Sequence, residues 1–165
     1  MRHRLAWCEG RGDDIETCFD VTEATLRSLY NALYEHNVML EGTILKASMV
    51  IAGKDCDEQA DTEEVAEATL MCLRAAVPAS VPGIVFLSGG QSDEAATAHL
   101  NAMNQMGPHP WPLSFSYGRA MQTAALKLWA KDMQGNFAAA QKTVAQRARE
   151  NGLAALGKWS ADAAG

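Results

Sequence analysis

Apolar and polar positions recur along this chain in two rhythms. Leu26, Leu29, Tyr30 and Leu33 fall at i, i+3, i+4 and i+7, and Asp20 with Glu23 resembles a capping box. The spacing predicts an amphipathic helix over about 21–36, ending near Asn37. The stretch from Val38 to Lys46 then reads as a strand, with Leu40, Ile44 and Leu45 apolar and Gly42 in its interior. A polar loop over about 52–61 leads to a second helix, capped by Asp61 and Glu64, with Val65, Thr69, Cys72, Leu73 and Ala76 on one face. Ile84-Val-Phe-Leu87 is a short apolar run of buried-strand type, and Ser88-Gly-Gly-Gln-Ser92 turns it into a third helix with Ala96, His99, Leu100 and Met103 inward. The proline-rich stretch 107–112 breaks that helix, and Leu113-Ser-Phe-Ser116 is a third strand. Tyr117-Gly118-Arg119 opens a fourth helix with Met121, Ala124, Ala125 and Leu128 on its stripe. A last, alanine-rich helix over about 136–156 directs Phe137, Ala140, Val144 and Ala148 inward.

Helices and strands therefore alternate as α-β-α-β-α-β-α-α, the order of parallel strands joined by crossovers. The strands are apolar almost throughout, as when both sheet faces are covered. Three strands are too few to close a barrel, so the chain reads as the end of a larger α/β architecture. Residues 1–12 carry no period and are expected to be an irregular leader, with the folded part at 13–165.

Composition narrows the partners. The chain has 165 residues, 48% hydrophobic and 21% charged, with a net charge of -6, ordinary for a single domain with a buried core. A negative chain argues against a nucleic-acid or anionic-membrane partner. No apolar run is long enough to span a bilayer. Cys8, Cys18, Cys56 and Cys72 are widely spaced without a C-x-x-C pair; this favours reduced thiols over zinc or disulfides, and a cytoplasmic setting. The eight methionines read as core filler. Trp111 and Trp129 are expected between helices and sheet, and His99 as a hydrogen-bonded histidine at the core edge.

Candidate chemistry collects where strands end, the usual place for function in α/β folds. Lys46 ends the first strand. Burial there would favour its neutral amine, the form that attacks a carbonyl to make a Schiff base; a strand-end lysine that snorkels to water is the commoner case. Ser88, Gly89 and Gly90 end the second strand with backbone N–H groups able to face an anion at a helix start. Ser116, Gly118 and Arg119 end the third, adding a hydroxyl, an open backbone and a guanidinium suited to phosphate. A lysine followed by two glycine-flanked anion sites describes a phosphorylated carbonyl substrate.

Leu40-Glu-Gly-Thr-Ile-Leu-Lys46, Phe86-Leu-Ser-Gly-Gly-Gln-Ser92 and Phe115-Ser-Tyr-Gly-Arg-Ala120 resemble the carboxyl-terminal signatures of class I fructose-bisphosphate aldolase. The likeness runs from about Asp14 to Trp159 and covers somewhat less than half of a complete member. It implies the last part, about strands six to eight and the helices after them, of a (β/α)₈ TIM barrel. It also implies reversible cleavage of fructose 1,6-bisphosphate to dihydroxyacetone phosphate and glyceraldehyde 3-phosphate, with neither metal nor cofactor. By motif match Lys46 would be the Schiff-base lysine, while Ser88, Gly89, Gly118 and Arg119 would hold a substrate phosphate with Ser116 nearby. The family's acid/base carboxylate lies on the fifth strand, which this sequence does not match. Glu41 is not its substitute, because strand alternation would turn it away from Lys46. Ala47-Ser48 replaces the Pro-Asn of many members, and the terminal tyrosine of many members has no counterpart. Two further readings remain open: a non-catalytic half-barrel that self-associates or pairs with a missing half, and another Schiff-base lyase of phosphorylated sugars.

Overall fold

A computed structural model describes residues 12–161 of the chain, so the leader expected at 1–12 lies almost wholly outside the described residues. Five helices and three strands follow in the predicted order: α1 (Ile15–Glu35), β1 (Leu45–Ala47), α2 (Thr62–Ala76), β2 (Ile84–Phe86), α3 (Asp93–Gln105), β3 (Leu113–Phe115), α4 (Arg119–Lys131) and α5 (Phe137–Ala154). The strands form one parallel sheet in the order β1-β2-β3. This is an α/β arrangement, and its strand order is that of a (β/α) barrel segment.

Helix boundaries follow from caps. Asp61 caps α2 by accepting from the Glu64 N–H at 2.9 Å, as expected. The Ser92 hydroxyl does the same for α3 from the Ala95 N–H at 3.1 Å. In α1 the cap is Asp14, which accepts from the Thr17 N–H at 2.7 Å, so the helix starts six residues before the expected position. Asp20 is interior to it, and Glu23 pairs with Arg27 one turn on instead of capping. The earlier start adds Cys18 to a stripe with Leu26 and Tyr30, while Leu29 faces solvent.

The first strand is shorter than its apolar run. Leu40–Gly42 form a 3-10 turn, closed by the Gly42 N–H on the Met39 carbonyl and the Thr43 N–H and hydroxyl on that of Leu40. Gly42 therefore belongs to a turn rather than a strand interior. The alternation used to orient Glu41 does not reach it.

Helices cover only one face of the sheet. Leu45, Ala47, Ile84, Phe86 and Leu113 are buried against them. On the alternate positions Ile44, Lys46 and Ser48 are exposed, and Val85, Leu87, Ser114 and Ser116 are half-buried. The apolar character of the strands had suggested two covered faces; among the described residues one face is open.

The last helix departs most from its pattern. Ala140 packs inward, but Phe137, Val144 and Ala148 are exposed, and the inward face is made by Arg147, Glu150 and Asn151. Phe137 and Val144 line a groove with Leu126 and Trp129 of α4, and Trp129 lies at the surface. Trp111 is buried as expected, its indole N–H on the Pro78 carbonyl at 2.9 Å. Cys18 and Cys72 are buried, and burial pushes the Cys72 thiol up to about 12.

Candidate active site

The parallel register puts the three candidate strand ends side by side. Lys46 pairs with Val85, and Val85 with Ser114, so Lys46 and Ser114 lie two strand spacings apart, about 10 Å. Ser116 follows Ser114 by two residues and shares the open face with Lys46. The ladder continues past the regular strands: the Leu87 N–H donates to the Ala47 carbonyl at 2.9 Å and the Ser116 N–H to that of Phe86 at 2.8 Å. Ser88 and Ser116 are thereby fixed at the same end of the sheet. Lys46 is exposed, so the burial expected around it is not present among the described residues.

Ser88 begins a tight turn that the Gln91 N–H closes on the Ser88 carbonyl at 2.9 Å. Gly89 and Gly90 both take positive φ, 55° and 77°, which other residues adopt only with strain. The turn delivers Ser92 to cap α3. Its remaining side chain is held from behind: Gln91 Oε1 lies 2.6 Å from His99 Nδ1. His99 is buried, as its place on the apolar stripe predicted, and burial lowers its imidazole to about 4, well below the usual 6.5. A cavity of about 470 Å³ opens on this flank between the starts of α2 and α3; Gly89, Gly90, Gln91 and His99 line it, but Lys46, Ser116, Gly118 and Arg119 do not.

The third strand end is different. Gly118 starts α4 without a side-chain cap, whereas α2 and α3 have one. A Cβ placed on Gly118 would meet nothing within 4 Å, so internal packing does not demand glycine there. The backbone is open to whatever approaches the helix start, where N–H groups lack intrahelical partners. Arg119 is exposed in the first turn. Tyr117 between them is buried and donates its hydroxyl to the Ala96 carbonyl of α3 at 2.7 Å. Burial raises that phenol well above its usual range.

The structure thus gathers Lys46, Ser88, Gly89, Ser116, Gly118 and Arg119 at one end of the sheet, on three successive chain segments. The sequence carried no signal for three contacts close by: Gln91 with His99, the Tyr117 hydroxyl with α3, and Arg147 with the first turns of α3 and α4. No spacing signal marks Arg147, because an arginine and a glutamate at i, i+3 in an alanine-rich helix look like a solvated pair. Among the described residues no group of His, Cys, Asp or Glu could hold a metal ion, and no helix is long and apolar enough to cross a membrane.

Comparison with known proteins bears on this arrangement. A family model described as fructose-bisphosphate aldolase class-I matches residues 8–165. The chain is 76% identical over 146 residues to a probable fructose-bisphosphate aldolase class 1 of Xanthomonas axonopodis pv. citri (strain 306), covering 88% of this chain and 44% of that one. It is 51% identical over 152 residues to fructose-bisphosphate aldolase 1 of Toxoplasma gondii, covering 92% and 42%. Among solved structures, fructose-bisphosphate aldolase from Plasmodium falciparum, crystallised with TRAP and a small-molecule inhibitor, superposes with a TM-score of 0.88 at 45% identity. That match covers 93% of this chain and 44% of the other. The chain spans less than half the length of these relatives.

Proposed function

Because the chain belongs to the class I fructose-bisphosphate aldolase family and its fold is part of that family's barrel, we propose that it carries the Schiff-base and phosphate half of an aldolase active site. The substrate is fructose 1,6-bisphosphate in one direction, and dihydroxyacetone phosphate with glyceraldehyde 3-phosphate in the other, the aldol step of glycolysis. The observation that supports this best is the convergence of Lys46 with the Ser88-Gly89 turn and the uncapped start of α4 at a single sheet end.

In this reading Lys46 Nζ adds through its nitrogen lone pair to the substrate carbonyl, and water leaves to give an iminium ion. The iminium withdraws electrons from the carbon–carbon bond to be broken. Cleavage releases the aldehyde and leaves an enamine on Lys46, which takes up a proton and is hydrolysed. Ser88, Gly89, Ser116, Gly118 and Arg119 hold a substrate phosphate through backbone N–H groups, hydroxyls and a charge-assisted fork. Proton transfer in the family uses a carboxylate on the fifth strand, and no described carboxylate stands in for it on the open face. The isolated chain is therefore expected to bind and to form the Schiff base, but to turn over poorly. A cytoplasmic setting with reduced Cys18, Cys56 and Cys72 belongs to the same reading.

Titration of the chain with dihydroxyacetone phosphate, followed by amide NMR, tests the phosphate cradle. Shifts should concentrate at Gly89, Gly118 and Arg119, and Arg119→Ala should weaken binding by at least about tenfold. Shifts elsewhere, with Arg119→Ala unchanged, would refute the cradle.

A second reading, that the chain acts as a half-barrel that associates with itself or a complementary half, is favoured by the open sheet face with Ile44 67% exposed. An unpaired parallel sheet with one bare face invites a partner. Sedimentation analysis with a parallel cleavage assay separates the two: a monomer with turnover near that of full-length relatives contradicts it. Deoxyribose 5-phosphate, offered beside fructose 1,6-bisphosphate, distinguishes another Schiff-base aldolase.

A further inference from the structure

The buried polar face of α5 touches the two elements that carry the phosphate cradle. Arg147 is only 8% exposed. Its Nε donates to the Ala120 carbonyl at 3.1 Å, in the first turn of α4 directly after Arg119. Its Nη2 donates to the Asp93 carbonyl at 2.6 Å and to the Thr97 hydroxyl at 2.7 Å, in the first turns of α3. Its Nη1 donates to Glu150, the buried acid that balances its charge. Thr97 in turn donates to Asn151 Oδ1 at 2.9 Å, and Asn151 Nδ2 returns to the Arg147 carbonyl at 2.9 Å. One planar guanidinium thus grips the beginnings of both helices at once.

Stability alone does not account for such a pair. Desolvating a guanidinium and a carboxylate cancels most of their attraction, and well-packed apolar replacements are often neutral or better. What apolar side chains cannot supply is direction: fixed donors that set two backbone carbonyls at a defined separation. Tyr117 spans the same gap, with its hydroxyl on the Ala96 carbonyl of α3.

We propose that Arg147 is a positioning residue for the phosphate site, fixing the Ser88-Gly89 turn and the Gly118-Arg119 helix start at the separation one phosphate group needs, with Tyr117 as the second brace. The inference rests on the phosphate reading above. Arg147 reaches no substrate itself; it acts through the carbonyls of Asp93 and Ala120. A cradle built from two independent chain segments loses affinity when their spacing varies, because donors then meet the anion one at a time.

The test measures dissociation constants of the full chain for dihydroxyacetone phosphate and for inorganic phosphate, alongside thermal melting. Arg147→Met combined with Glu150→Leu removes both charges, so the fold should keep a wild-type melting temperature while both ligands bind about tenfold more weakly. Arg147→Lys, which keeps a donor and the charge, should recover part of that loss. Tyr117→Phe, which deletes one hydroxyl, should weaken both ligands about threefold and decides the matter if the Arg147 variants fail to fold. Wild-type affinity in the folded double variant, or in Tyr117→Phe when only that folds, overturns the brace while leaving the cradle standing if Arg119→Ala still binds poorly. Wild-type affinity in Arg119→Ala overturns the cradle, and the brace with it.

Discussion

The two faces of the three-stranded sheet have the same strands and opposite tasks. On the helix-covered face Ile84 and Phe86 are fully buried, and Leu45, Ala47 and Leu113 nearly so. On the other face the register aligns Lys46, Val85 and Ser114, with Ile44 and Ser116 beyond them. A period of two along each strand sends alternate residues to the core and to the open face. In the proposed reading three residues of strand suffice to carry a site: one face fixes the backbone, and the ladder extends that order to Lys46, Ser88 and Ser116.

The two faces should differ most when one residue on each is truncated. Phe86→Ala should cost about 3–5 kcal/mol in denaturant melts, whereas half-buried Val85→Ala should cost less than about 2. Equal costs at a concentration where the chain is monomeric would mean that both faces are covered.

The covered side should also respond to acid. Burial holds His99 at about 4 when folded, against an ordinary 6.5. Between these values the unfolded chain binds a proton that the folded chain refuses, so stability is full above pH 6.5 and declines as pH falls toward 4. The loss approaches roughly 3 kcal/mol at the low end. Denaturant midpoints against pH should slope in that window and flatten in His99→Leu; an unaltered slope would place its origin elsewhere.

Helix starts offer a finer contrast. Ser92→Ala removes the cap of α3 and should cost about 1 kcal/mol. Gly118→Ala at the uncapped start of α4 should stay within about 0.5 kcal/mol, since its Cβ would meet nothing within 4 Å. The smallest effect is expected on the open face: Ile44→Ser should leave monomer stability within about 0.5 kcal/mol, while weakening any self-association seen by sedimentation.

Much of this was legible in the residues. The alternation of periods gave the element order, and Asp61 and Ser92 marked their helices because capping is a local event. The six candidate residues, whose roles are proposed, stand out in the sequence because strand ends, glycines and cations have local signatures. Three things were not legible for physical reasons. The apolar run ending at Lys46 does not reveal that Leu40–Gly42 coil into a turn, since turn and strand tolerate the same residues there. The start of α1 at Asp14 instead of Asp20 depended on which of two good caps the tertiary contacts of Cys18 would select. The inward face of α5 inverted the hydrophobic rule, because Arg147 and Asn151 bond backbone and side-chain groups of neighbouring helices that no sequence window displays, while Glu150 balances the Arg147 charge.

The most direct test of the account is covalent. The chain is mixed with dihydroxyacetone phosphate, reduced with borohydride, and mapped by peptide mass spectrometry. One reduced adduct is expected, on Lys46 of the open face, and it should disappear in Lys46→Ala while the melting temperature stays unchanged. An adduct on another lysine, or an equal yield in Lys46→Ala, would contradict it.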